Sequence, residues 1–140
     1  STVLTPNVIE ASYFAQFKIE TLEDMKKASK TIAQNYGIAY VIIKGGHMNG
    51  KYSLDVLYNS VKDSYIIIGY ERISQKNTHG TGSVFATALS AELSKGKKIE
   101  DAFKTARDLL QTSIEYGLEI GKGIGPIDPT IYLEKKLLQV

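Results

Sequence analysis

The sequence predicts an α/β domain with a partly parallel sheet, flanking helices and one antiparallel hairpin. Three observations lead there. Short β-branched runs such as "IAYVIIKGG" alternate with longer stretches whose apolar residues recur at helical spacing. Two strand-like runs, "YSLDVLYN" and "SYIIIGYERI", flank the turn-like "SVKD", as in a hairpin. The chain has 140 residues, 43% of them hydrophobic and 23% charged, which suffices for one modest domain with its own core.

The elements follow in order. "STVLTPN" is the end of a strand, stopped by Pro6. "NVIEASYFAQF" carries Val8, Ala11, Phe14 and Ala15 on one helical face, with Asn7 as cap. "TLEDMKKASKTIAQNYG" is a second helix. Thr21 followed by Asp24 gives a cap with an acid three residues on, and Gly37 supplies the stop. "IAYVIIKGG" is a buried strand delivering a loop through its glycine pair. After the hairpin come two long helices, from about Thr81 to Lys95 and from Ile99 to Tyr116. "GLEIGKGIGPIDPT" is glycine-rich and proline-broken, a loop, and a last short helix covers "IYLEKKLLQ".

Composition excludes several function classes. A net charge of +2, with no Lys/Arg stripe, argues against nucleic acid as a partner. The longest apolar runs are far too short to cross a bilayer, so no membrane role is expected. No secretory pattern opens the chain, and a cytoplasmic location is the expectation. With Cys at 0, disulfides and cysteine–metal sites are out. The two histidines, His47 and His79, are too few to build a metal site. "GKGIGP" lacks the spacing of a P-loop.

The segment "KNTHGTGSVFATALSAEL" sets a glycine–threonine–glycine knot at the mouth of a helix. A helix N-terminus presents unpaired N–H groups and the positive end of the dipole, together a site for anions. Gly80 and Gly82 remove side chains that would keep an oxygen-rich group from the backbone, and Thr78, Thr81 and Ser83 add hydroxyl donors. The field alone is worth about 0.3–1 kcal/mol when exposed and up to ~2 when partly buried. The competing reading is a tight turn followed by an ordinary cap at Thr81 or Ser83.

Two other segments bear on the choice. "IIKGGH" puts Lys44 at the end of a buried strand, where α/β sheets take ligands and where a lysine suits phosphate. It also suits a solvated strand end. "TPNVIEA" sets Asn7 and Glu10 three apart on a helix's first turn, a pair able to hold hydrated Mg²⁺ beside phosphates. The same pair serves equally as a cap and a first-turn acid.

Taken together, "LTPNVIEA", "VIIKGGH", "NTHGTGS" and "GLEIGKGIGP" resemble, in order and spacing, the hydroxymethylpyrimidine/phosphomethylpyrimidine kinases of thiamine biosynthesis, within the ribokinase-like superfamily. The resemblance spans essentially the whole chain. It implies a ribokinase-like, doubly wound, mostly parallel sheet, and transfer of the ATP γ-phosphoryl group to a pyrimidine alcohol or phosphate. By the same resemblance, Gly80, Thr81 and Gly82 form the anion hole for the transferring phosphoryl. Lys44 lies beside the ATP phosphates, with Thr78 and Asn7 on the nucleotide, and Asn7 and Glu10 stand near Mg²⁺. The hairpin and the loop before the last long helix lie along the adenine.

The sequence departs from the family pattern twice. Where the family usually has Cys after "GTG", and the superfamily Asp, this chain has Ser83. A serine hydroxyl has no useful proton-accepting form near neutral pH, and loss of a general base costs about 10²–10⁴-fold in rate. The chain also resembles only the C-terminal half of the family's domain, so residues 1–140 are expected to be the nucleotide and anion-hole half. The first strand would then have an unpaired edge. A homodimer, or a complex with a missing N-terminal half, is the expected remedy. Three functions compete: a kinase half-domain, weak or inactive alone; a non-catalytic, nucleotide- or pyrimidine-phosphate-binding regulatory module; and a related sugar or pyridoxal kinase. Ser83 favours the second, the intact "GTG", Lys44 and Asn7/Glu10 favour the first, and the His in "NTHGTG" argues against the third.

Overall fold

In the computed structural model, residues 2–45, 52–71 and 81–119 are described, with side chains in the last stretch for residues 84–114. The chain divides into two units, residues 1–72 and 73–140. Each is taken by itself.

The first unit opens with β1 (Val3–Leu4), two helices, α1 (Val8–Ala15) and α2 (Leu22–Tyr36), and then β2 (Tyr40–Lys44). Both helices start on a reciprocal capping box. Asn7 caps α1 with Glu10 at the third position, and Thr21 caps α2 with Asp24. The two ends differ. Gly37 closes α2 in the left-handed conformation with φ 64°, as its position in the sequence predicts. For α1, the helical pattern continues to Phe17, yet the helix stops at Ala15 because Gln16 turns left-handed (φ 63°) and donates its N–H to the Ser12 carbonyl.

β3 (Tyr52–Asn59) and β4 (Ser64–Glu71) form the hairpin, and its turn is the "SVKD" of the sequence. Asn59 makes that turn: its side-chain Oδ1 accepts the N–H groups of Val61 and Lys62, at 3.0 and 3.2 Å. Asp63 completes it in the left-handed region (φ 51°). The sheet order is β1-β2-β3-β4, with β1–β2 parallel and the other two pairs antiparallel. Among the described residues the parallel portion is therefore confined to β1–β2. The antiparallel remainder follows from β3 running back along β2, and from the hairpin itself.

Strand alternation divides the sheet into two faces. Val41, Ile43, Val56 and Tyr58 pack with Val8, Ala11, Ala15, Met25, Ala28 and Ile32 of α1 and α2 into one apolar core. Ile42 and Leu57, partners across β2–β3, lie on the other face and are also buried. Central strands buried on both faces explain why "YVII" and "VLY" are almost unbroken apolar runs.

The second unit contains α3 (Thr81–Ser94) and α4 (Ile99–Glu119). They pack through Val84, Phe85, Ala88 and Leu89 on α3 and Ile99, Ala102, Phe103 and Ala106 on α4, all buried. Phe85 meets Phe103 edge to face, with ring centroids 6.3 Å apart. Gly96, at φ 84°, turns the chain between them. α4 runs past the expected end at Tyr116, straight through Gly117. One glycine costs a helix about 1 kcal/mol, too little to stop one of 21 residues. The last short helix expected over "IYLEKKLLQ" and the glycine-rich loop before it lie outside the described residues. No described helix is long and apolar enough to cross a membrane.

Candidate functional site

Pro6 ends β1 because its ring leaves no N–H for the ladder, but its carbonyl remains an acceptor. The Lys44 N–H donates to that carbonyl at 3.0 Å, and the next residue, Asn7, forms an isolated parallel bridge with Lys44. One backbone joint thus links the last residue of β2 to the cap of α1. The arrangement brings Asn7, Glu10 and Lys44 to the C-terminal end of the parallel pair, three residues the sequence singles out separately.

Asn7 and Glu10 form a capping box. Asn7 Oδ1 accepts the Glu10 N–H at 2.8 Å, and Glu10 Oε1 accepts the Asn7 N–H at 2.9 Å. The cap reading is therefore satisfied in full. A cation at this place would share Glu10 with the helix. Among the described residues no group of three or more His, Cys, Asp or Glu could hold a metal ion. That donor set fits Mg²⁺ only in its usual hydrated form, held by one carboxylate and by the phosphates of a nucleotide.

Sequence reasoning missed Asp55. In the register of β2–β3 it is the direct partner of Lys44, on the face shared with Ile42 and Leu57. It is only 3% exposed, and its Oδ1 accepts the Gly45 N–H at 3.1 Å. The signal was present: a lone carboxylate within the apolar "SLDVLYN" must find partners if the strand is buried. Gly45 itself is sterically required. A Cβ there would lie 2.1 Å from the Leu54 carbonyl oxygen and 3.2 Å from Met25 Cε. Gly45 is therefore a position of close backbone approach.

Asp24 is held below the usual aspartate range by backbone hydrogen bonds from Glu20 and Thr21 at the start of α2, and the other shifted titrations lie around the hairpin turn. Burial, and then a 2.7 Å hydrogen bond donated to Asp63, push the Tyr58 hydroxyl up to about 12. Asp63 is held below the usual aspartate range by that hydrogen bond and by Lys30, 3.3 Å away. Tyr65, whose ring lies 4.9 Å from that of Tyr58, is raised chiefly by burial. These residues brace the turn, far from Lys44 along the strands.

In the second unit, α3 begins at Thr81, so the N–H groups of Thr81, Gly82 and Ser83 fall in its first turn. Those groups have no partner within the helix, as at the start of any helix. The side chains of these three residues, together with Thr78, His79, Gly80 and His47, lie outside what is described.

Comparison with known proteins bears on what such an arrangement serves. Residues 1–128 match the family model for phosphomethylpyrimidine kinase. The chain is 36% identical over 135 residues to the hydroxymethylpyrimidine/phosphomethylpyrimidine kinase of Staphylococcus aureus (strain MRSA252), covering 96% of this chain and 48% of that protein. It is 39% identical over 127 residues to the same-named protein of Bacillus subtilis (strain 168), covering 90% and 46%. Among solved structures, it is similar to the pyridoxal kinase from Staphylococcus aureus in complex with AMP-PCP and pyridoxal, with TM-score 0.82 and 33% identity over 94% of this chain and 49% of that one. The same enzyme in complex with ADP gives TM-score 0.83, covering 94% and 48%. The chain thus spans about half the length of the curated relatives it matches. The fold is ribokinase-like α/β. With a family model matched over most of its residues and four sequence motifs in the family's order, the chain belongs to the phosphomethylpyrimidine kinase family.

Proposed function

We propose that this chain supplies the nucleotide and phosphate side of an ATP-dependent kinase acting on hydroxymethylpyrimidine or its phosphate, in thiamine biosynthesis. The observation that carries the reading is the joint between Asn7 and Lys44 at the C-terminal end of the parallel strand pair. Strand ends of this kind are where α/β proteins take their ligands. Phosphoryl transfer needs positioning and charge stabilisation more than covalent help. Lys44 gives a cation for the phosphates, Asn7 and Thr78 hold the nucleotide, and Glu10 offers a carboxylate for Mg²⁺. Mg²⁺, when bound, neutralises charge on the phosphate oxygens. Gly80, Thr81 and Gly82 form the anion hole for the transferring group. Ser83 orients the acceptor hydroxyl, whose proton passes to a phosphate oxygen or to water. The strand beyond β1 comes from an N-terminal half or from a second copy, and the site of action is the cytoplasm.

Two observations favour variants of this reading. Several of the similar solved structures are pyridoxal kinases, so a pyridine alcohol competes with the pyrimidine as acceptor. Ser83 in the base position favours a module that binds nucleotide without turning it over. One experiment separates them. ADP and ATP binding are measured by calorimetry on the chain and on Gly82→Leu, and labelled ATP is offered with hydroxymethylpyrimidine, its phosphate and pyridoxal. The kinase reading expects ATP binding that Gly82→Leu abolishes while the circular dichroism is unchanged, with transfer to a pyrimidine. Transfer to pyridoxal alone selects the pyridine variant, and binding without transfer selects the module. Equal ATP affinity in Gly82→Leu refutes the anion hole.

A further inference from the structure

A carboxylate buried in a strand must be held by polar partners, and Asp55 accepts the N–H of Gly45. Gly45 is the residue at which β2 leaves the sheet. Its own side of the chain is closed off, because the Leu54 carbonyl and Met25 stand where any side chain would project. The backbone after Lys44 is thus pressed against β3. It is tethered to the same strand by the hydrogen bond that the Gly45 N–H donates to Asp55 Oδ1, at 3.1 Å. The same Asp55 is the cross-strand partner of Lys44, on the same face of the sheet. On the preceding peptide, the Lys44 N–H is fixed to Pro6. The two peptides on either side of the Lys44 Cα are therefore each held, one by the Pro6 carbonyl and one by Asp55.

We propose that Asp55 is a positioning residue for the phosphate lysine: by holding the Gly45 N–H, and by sharing a face with Lys44, it sets the direction in which the Lys44 side chain leaves the sheet. The proposal rests on the reading of Lys44 as a phosphate partner. Asp55 itself touches no phosphate. Its effect on nucleotide must pass through Lys44, and that distinguishes it from a residue that merely stabilises the sheet.

The test has two readouts on the full chain. The first is amide hydrogen exchange at Gly45, followed by NMR in the wild type, Asp55→Ala and Asp55→Asn. Asn keeps an oxygen acceptor without the charge, and it guards against an alanine variant that fails to fold. Protection at Gly45 should fall about tenfold or more in Asp55→Ala and largely survive in Asp55→Asn. Unchanged protection in Asp55→Ala overturns the proposal. The second readout is ADP affinity by calorimetry in a double-mutant cycle with Lys44→Ala. Asp55→Ala should weaken ADP about tenfold in the wild-type background and less than about twofold once Lys44 is gone. Equal losses in both backgrounds mean Asp55 acts independently of Lys44, and the positioning role fails. If instead Lys44→Ala leaves ADP affinity unchanged, the phosphate reading of Lys44 falls, and the positioning role with it, while the exchange data still report the tether.

Discussion

Replacing Gly45 by alanine puts a methyl carbon 2.1 Å from the Leu54 carbonyl oxygen. Ordinary carbon–oxygen contacts lie at about 3.3–3.6 Å, so the two must separate by about 1.2–1.5 Å. The obstacle is backbone of β3, paired along β4 at this position, and it has no rotamer to change. Overpacking of this kind costs about 1–3 kcal/mol. The same displacement carries the Gly45 N–H, now 3.1 Å from Asp55 Oδ1, out of hydrogen-bond range. Loss of that bond to a buried carboxyl group adds about 1–3 kcal/mol, for a total of about 2–6 kcal/mol. Gly69 is the internal control, since a Cβ there meets the end of the same residue's side chain, Leu54 Cδ2, at 2.8 Å. A leucine terminus can rotate away, and Gly69→Ala should cost less than about 1 kcal/mol. Urea denaturation followed by circular dichroism checks both. With a slope of about 2 kcal/mol/M, Gly45→Ala lowers the midpoint by about 2 M and Gly69→Ala by less than 0.5 M. A Gly45→Ala midpoint equal to wild type, or equal losses in the two variants, refutes the reasoning.

The remaining predictions concern the caps, the turn and the serine. Thr21→Ala removes a helix cap and should cost about 1 kcal/mol in urea with ADP affinity intact, whereas Asn7→Ala should cost the same stability and also weaken ADP, as calorimetry would show. Tyr58 ionises at about 12 in the fold and near 10 when unfolded, so its contribution is complete below pH 10 and is lost as pH rises toward 12; Tyr58→Phe should flatten that alkaline decline, read as the urea midpoint against pH. Asp63 works in the opposite sense, its lowered pKa giving stability above the ordinary 3.8 that is lost as the solution is acidified further, and Asp63→Asn should remove that acid limb. Ser83→Cys, which introduces a group able to accept a proton, should raise phosphoryl transfer by about 10²-fold or more in a labelled-ATP assay, while Ser83→Ala should leave the slow rate within a few-fold.

What could be seen in advance was whatever is decided within a few residues. Asn7 with Glu10, Thr21 with Asp24, Gly37 and the "SVKD" turn all sit where the sequence places them, because caps and turns are closed by neighbours along the chain. The end of α1 was not visible, since Gln16 gives no local sign that it will turn left-handed. Gly117 misled in the other direction: a glycine is a weak breaker, and α4 carries through it. The candidate site divides in the same way. Lys44, Asn7 and Glu10 stand out individually by type and place, but their meeting depends on the pairing of β1 with β2, which no local pattern specifies. Asp55 carried a local signal as a lone carboxylate in an apolar strand, but its place opposite Lys44 depends on the β2–β3 register.

The position of β1 carries a consequence for how the molecule comes into being. β3 and β4 are joined by a tight turn and can zip early, and β2 meets β3 across a modest loop. β1 pairs with β2 only over the whole span of two helices, and it does so through two residues and a bridge. Contacts of such long sequence separation carry the largest loop-closure entropy and form late. The joint between Asn7 and Lys44 is thus the last part of the sheet to assemble and the first to open. A chain in which it has not closed would retain most of its strands and both capped helices, and would look folded to far-ultraviolet light. The meeting of Asn7, Glu10 and Lys44 would arrive only with that final step, as a property of the finished topology rather than of any single segment.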